Sequence, residues 1–340
     1  MKGKLNKVSI LGAGSWGTTL GVILSRNKDL DITLWSVFKK QIKQILLTRE
    51  NKDFLPSVKI PSKIKITSDL KIALNSSLLI LAIPVQYLRE ILKKIKREKI
   101  NLKKKIFLSV AKGIEINTFK TPTQIIREEL GVKKIAVLSG PTIAREVVKG
   151  LPTVATVAST DEEISLTIQQ IFKNTNLRIY RSKDLRGVEL AGALKNIIAI
   201  ACGVADGLGL GVNTKASLVV RGLVEIIRLA KKLGASPQTF WGISGLGDLT
   251  TTCFSSYSRN RSVGEEIGKG KKLKTILKKM KMVAEGVSTV KPIYKLSKRL
   301  KIDMPITKEV YYLLYRDKKP LKTVEDLMKR PFKPEDGESD

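Results

Sequence analysis

Histidine is absent from the 340 residues, which removes the commonest general acid and base of enzyme chemistry and every zinc site built on imidazole. Cysteine is nearly absent: Cys202 and Cys253 stand alone, outside any CxxC pair. That excludes a disulfide framework and points to a reducing compartment. Acidic residues are scarce, 31 against 63 lysines and arginines, for a net charge of +32. Aromatics make up only 5%, too few to interleave with the lysines as stacking platforms for bases. The lysines fall at helix-surface spacing, as in "EILKKIKREKINLKKK" and "GKGKKLKTILKKMKM". No nucleic-acid partner is therefore expected, although the charge would draw small phosphorylated anions. The uncharged run from Val8 to Ser25 is broken by glycine, serine and threonine, and no small-x-small cleavage site follows it. It reads as neither a secretory signal nor a membrane span, and the expected location is cytoplasmic.

What is present is alternation. From Lys7 to about Ser182, short β-branched runs alternate with longer amphipathic segments, the rhythm of an α/β fold. The predicted strands are 7–11, 31–35, 77–83, 105–110, 134–139, 153–159 and 177–181. Unbroken apolar runs such as "LLILAI" predict a mainly parallel, doubly wound sheet covered on both faces. After Asp184 the strand signals fade into helical periodicity. The expected organisation is a dinucleotide-binding domain over 1–182, an all-α domain over 183–333, and a disordered acidic tail over 334–340.

The stretch "KVSILGAGSWGTTLGVILSR" sets Gly12, Gly14 and Gly17 in GxGxxG spacing between a predicted strand and helix. The first glycine permits the tight turn, the second lets backbone approach a pyrophosphate, and the third allows close helix packing. In this βαβ context the pattern predicts a nicotinamide dinucleotide site. The second strand ends "LWSVFKK" with no carboxylate to bind a ribose hydroxyl. Ser36, Lys39 and Lys40 there favour a 2′-phosphate, hence NADP(H) over NAD(H).

Without histidine, a dehydrogenase needs another proton carrier. In "ELAGALKNIIAIACG", Lys195 has Ala191 and Gly192 one turn before it and Ile198 and Ala199 one turn after it. An amine in such an apolar surround loses proton affinity, and a second cation nearby lowers it further. Lys112 of "SVAKGIE" follows the fourth predicted strand, 105–110, at its carboxyl end, where ligands bind in open α/β sheets. Asp248 lies in "GISGLGDLTTTCFSSYSRNRS", whose glycines, hydroxyls and Arg259 could close around a phosphate or could form a flexible basic loop.

Taken together, "GAGSWGTTL", "SVAKGIE", "LSGPTIAREV", "ELAGALKNIIAIACG", "NTKASLVVRGLVEI", "GLGDLTTTC", "SRNR" and "VAEG" run in order from Val8 to Tyr315. In this the chain resembles the NAD(P)-dependent glycerol-3-phosphate dehydrogenases of the soluble bacterial type. The resemblance implies an enzyme, without a metal, that interconverts sn-glycerol 3-phosphate and dihydroxyacetone phosphate in a cleft between its domains. It implies catalytic roles for Lys195, Lys112 and Asp248, with Gly140, Thr142, Asn196, Thr252, Ser258, Arg259 and Asn260 around the substrate. Ser15, Trp16, Ala144, Val283 and Glu285, with Lys112 and Arg259, would contact the dinucleotide. It also implies a homodimer and a role in phospholipid synthesis. Ile143 departs from the family pattern, where an aromatic is frequent. Two rival readings remain: another Rossmann dehydrogenase with a catalytic lysine acting on a hydroxy acid, and a basic nucleic-acid-binding protein whose dinucleotide fold is vestigial.

Overall fold

The computed structural model describes residues 5–280, 282–332, 334 and 335. The tail expected over 334–340 therefore falls largely outside the described residues. Ten strands are present among them: β1 (Lys7–Leu11), β2 (Asp31–Trp35), β3 (Glu50–Asn51), β4 (Leu55–Lys59), β5 (Lys65–Thr67), β6 (Leu78–Leu81), β7 (Ile106–Ser109), β8 (Ile135–Ser139), β9 (Thr153–Ala158) and β10 (Leu177–Ser182). Eight form one sheet in the order β10-β9-β8-β7-β6-β1-β2-β5, and β3 and β4 make a separate hairpin.

From β5 to β8 every neighbouring pair is parallel, while β9 runs antiparallel to β8 and β10 parallel to β9. The last two strands thus reverse the direction of the sheet. The central strands β6 and β7 are buried along their whole length, as continuous apolar runs require when helices cover both faces. All seven predicted strands are found, the third shortened to Leu78–Leu81. The hairpin and β5 were not predicted; they are two to five residues long and carry too little alternation to register as strands.

Beyond Ser182 the described residues form helices only. The axis is Leu185–Gly207, opened by Asp184, whose carboxylate accepts a hydrogen bond from the Gly187 N–H (2.8 Å). This helix is apolar and long enough to cross a membrane, yet its apolar window lies wholly inside the fold. It is the centre of a core to which Gly211–Lys232, Glu285–Arg299 and Pro305–Tyr315 contribute Leu223, Ile226, Val290, Ile293 and Val310.

One crossing is closer than side chains would allow. Helix Arg259–Gly268 packs on Leu185–Gly207 through Gly264 and Gly268 against Gly203 and Gly207. A Cβ on Gly203 would stand 1.9 Å from the Arg261 carbonyl oxygen, and one on Gly264 would stand 2.0 Å from that of Ile200. Backbone meets backbone, so the relative position of the two helices is fixed with little play.

Candidate active site

Strand β1 sits between β2 and β6, so the chain leaves it in opposite directions and a crevice opens at its carboxyl end. Gly12 turns the chain there with φ of 116°, and a Cβ on it would lie 2.3 Å from the Ala82 carbonyl oxygen. Only glycine fits. Gly17 is equally confined, since its Cβ would lie 1.9 Å from the Gly12 carbonyl oxygen. Gly14 differs: a Cβ there would meet nothing within 4 Å, and no side chain caps the helix Ser15–Leu24 that it opens. The turn therefore presents free space above an uncapped helix N-terminus, the electrostatic setting that a pyrophosphate needs. Ser15 and Trp16 form the first turn of that helix and are half-buried.

Two residues that the sequence reading passed over hold this turn. The Ala13 carbonyl accepts from Gln41 Nε2 (2.6 Å) and from Asn51 Nδ2 (2.8 Å), and Asn51 also donates to Thr18 Oγ1 (2.8 Å). Asn51 lies in the unpredicted hairpin, which explains the omission. Ser36 is buried, and its hydroxyl donates to Gln41 Oε1 (2.7 Å). Lys39 and Lys40 are exposed beside it.

Lys195 is 5% exposed. Its Nζ donates to the Asp248 carboxylate and to Thr252 Oγ1 (2.6 Å). Thr252 in turn donates to the Asp248 carbonyl (2.6 Å), which aims its lone pairs at the amine. Asp248, 1% exposed, turns its other oxygen to Lys112 Nζ (2.7 Å). Lys112 also donates to the Gly140 carbonyl (2.8 Å). One buried carboxylate thus joins two amines, an arrangement that cannot balance two full positive charges. Burial pushes the Lys195 amine down to about 7, partly opposed by Asp248 and reinforced by Lys112.

The elements explain the convergence. Lys112 follows β7 and Gly140 follows β8, both at carboxyl ends. Gly192 lets the lysine helix approach them, because a Cβ there would lie 2.7 Å from Ser139 Oγ and 3.3 Å from Lys112 Cγ. Thr142 donates to the Gly140 carbonyl (3.1 Å), and Ala144 opens a short helix beside the glycine turn, its carbonyl accepting from Thr19. The Asp248 segment, for which the sequence left open a phosphate-closing segment or a flexible basic loop, is helical. A π-turn, Ile243–Gly247, runs straight into helix Asp248–Phe254, and this buried start anchors the Asp248 carboxylate.

Asn196 and Asn260 are buried and spend their amides on one another and on the backbone. Asn196 Nδ2 donates to the Lys112 carbonyl (3.2 Å), Asn260 Nδ2 donates to Asn196 Oδ1 (2.8 Å), and the Gly286 N–H donates to Asn260 Oδ1 (2.9 Å). This ladder ties the loop after β7 to three helices. Ser258 caps helix Arg259–Gly268, its hydroxyl accepting from the Arg261 N–H (3.2 Å). Arg259 begins that helix, is exposed, and makes no hydrogen bond or ion pair among the described residues. Glu285 accepts from the Val85 N–H (3.1 Å), while its other oxygen is buried without a partner among the described residues. Burial pushes this carboxyl up to about 7, partly opposed by the Val85 N–H and then by Arg259. Val283 lies exposed just before it. An open glycine turn, an unpaired guanidinium and an orphaned carboxyl oxygen fit a nicotinamide dinucleotide and a phosphorylated partner.

A doubly wound sheet with this turn, faced by a buried amine–carboxylate–amine triad, defines a nicotinamide-dependent oxidoreductase. Residues 7–165 match the family model for the NAD-dependent glycerol-3-phosphate dehydrogenase N-terminus, and residues 184–325 match that for the C-terminus. The glycerol-3-phosphate dehydrogenase [NAD(P)+] of Thermoanaerobacter sp. (strain X514) is 48% identical over 97% of this chain and 98% of that protein. That of Bacillus pumilus (strain SAFR-032) is 45% identical over 96% and 95%. The crystal structure of glycerol-3-phosphate dehydrogenase from Coxiella burnetii superposes with a TM-score of 0.91 at 34% identity, over 96% of this chain and 99% of that one. The chain belongs to the NAD(P)-dependent glycerol-3-phosphate dehydrogenase family.

Proposed function

We propose that Lys195 is the proton carrier in the reaction of this family, the NAD(P)(H)-dependent interconversion of sn-glycerol 3-phosphate and dihydroxyacetone phosphate. The observation that carries the assignment is the seat of its amine, buried, held by Asp248 and Thr252, and tuned to about 7. Such a group gives up and regains a proton near neutrality. A nicotinamide held at the glycine turn would supply hydride in one direction and take it in the other. In reduction, the Lys195 ammonium donates a proton to the oxygen at C2 as negative charge develops there. In oxidation, the neutral amine removes the hydroxyl proton. Lys112 adds positive charge beside that oxygen, and Asp248 keeps both amines in register. Gly140 and Thr142 border the same pocket, and Asn196 and Asn260 brace it.

The substrate phosphate pairs with Arg259, which makes no hydrogen bond or ion pair among the described residues, near the hydroxyl of Ser258. This contact exists in ground and transition states alike, so its loss acts mainly on KM. The glycine turn with Ser15 and Trp16 receives the pyrophosphate. Lys112, Ala144, Arg259, Val283 and Glu285 border the dinucleotide. NADPH is preferred over NADH, because β2 ends without a carboxylate and with Lys39 and Lys40 exposed. A division after residue 182, between a sheet domain and a helical domain, follows the change of element type there. The enzyme acts in the cytoplasm as a homodimer and supplies glycerol 3-phosphate for phospholipid synthesis. Free, buried Cys202 and Cys253 support the reducing location.

Two variants test the reading. Lys195→Ala should lower kcat by several orders of magnitude with cofactor affinity kept, and near-normal turnover would overturn the assignment. Arg259→Ala should abolish the preference for dihydroxyacetone phosphate over dihydroxyacetone. Side-by-side assays with NADH and NADPH decide the cofactor preference, and light scattering decides the oligomer.

A further inference from the structure

Behind Arg259 lies an ionic cluster that the mechanism does not use. Arg261 donates through Nη1 to Asp206 Oδ2 (2.6 Å) and through Nε to the Ser255 carbonyl (3.0 Å), and its Nη2 pairs with Glu265 (3.0 Å). Asp206 is also paired with Lys215 (2.9 Å), whose amine lies 4.7 Å from the Phe254 ring centre. The Ser255 carbonyl accepts from the Ser258 N–H as well (3.2 Å). The turn 255–258 is therefore closed on both sides by one carbonyl, and that carbonyl is held by a guanidinium fixed to Asp206. The Arg261 and Asp206 side chains are only 13% and 21% exposed, so water competes weakly for them.

Asp206 is eleven residues beyond Lys195 on the same unbroken helix, about 16 Å along its axis. The Arg261 carbonyl also abuts Gly203, where a Cβ would stand 1.9 Å away. The element that carries the proton carrier thus also carries the anchor for the turn that presents Ser258 and Arg259. We propose that Asp206 and Arg261 are a positioning pair, which fixes the phosphate-binding turn relative to Lys195 and so sets selectivity for a phosphorylated substrate. This inference rests on the reading of Arg259 as the phosphate anchor. Neither residue need touch the substrate. A fork of three donors on one guanidinium makes lysine a poor replacement for Arg261.

The test compares Asp206→Asn and Arg261→Lys with Arg259→Ala and the parent, using dihydroxyacetone phosphate and dihydroxyacetone as substrates. Both positioning variants should raise KM for the phosphorylated substrate about tenfold, with kcat within about twofold and kcat/KM for dihydroxyacetone unchanged. Asp206→Glu should recover part of the loss. Arg261→Lys keeps the helix charge and serves where Asp206→Asn does not fold. An unchanged KM, or a parallel fall in kcat/KM for both substrates, overturns the proposal and leaves the Arg259 reading standing if Arg259→Ala still loses selectivity. If Arg259→Ala itself keeps full selectivity, the phosphate anchor lies elsewhere and the positioning role falls with it.

Discussion

The glycines of the turn after β1 and those of the helix crossing at Gly203, Gly207, Gly264 and Gly268 do different work. In the turn, Gly12 has φ of 116° and Gly17 presses on the Gly12 carbonyl, while Gly14 faces open space. One of the three is thus free of the fold and available to a ligand. At the crossing none of the four is free: each would drive a Cβ to within 2.5 Å of a carbonyl oxygen on the facing helix. The first group shapes a surface for another molecule. The second removes side chains so that Lys195 and Arg259, borne on the two crossing helices, are held in fixed relation. A glycine's place in a motif is a weaker guide to its role than what a methyl group would strike.

Substitutions sharpen this contrast. Gly264→Ala should cost about 3 kcal/mol or more in denaturant unfolding, because two helix backbones must separate, and the gain in helix propensity of about 1 kcal/mol cannot compensate. Gly12→Ala combines a left-handed backbone with a clash against Ala82. It should lose about 2 kcal/mol of stability and weaken cofactor binding at least about tenfold in titrations. Asn51→Ala frees the Ala13 carbonyl and should weaken the cofactor several-fold, with a stability loss of about 1 kcal/mol. Gly14→Ala should leave unfolding within about 0.5 kcal/mol of the parent while still weakening the cofactor. If Gly14→Ala destabilises as much as Gly264→Ala, the distinction between the two groups collapses.

The same contrast explains what could be read from the chain. The turn glycines follow a strand and precede a helix, so a local pattern reveals them. The crossing glycines are paired across some sixty residues, and nothing in "GVADG" or "GEEIG" names the partner. The central strands β6 and β7 were legible because their burial makes them uniformly apolar, whereas β3 and β5 are only two and three residues long and β4 is mostly exposed and carries Pro56. Lys195 announced itself as a charge in an apolar helix. Asn196 and Asn260 were expected around the substrate, but that their amides bond each other depends on a long-range contact. The Asp248 segment was ambiguous because glycine and hydroxyl residues favour loops locally, and packing against the lysine helix overrides that preference.

The central claim is that Lys195 carries the proton, and the pH dependence of kcat/KM in both directions tests it most directly. Reduction needs the ammonium, so its rate should fall as pH rises through about 7, while oxidation needs the free amine and should rise through the same value. Both limbs should vanish from the residual activity of Lys195→Met. Limbs that persist in that variant, or rates that stay flat from about pH 6 to 9 in the parent, would contradict the assignment.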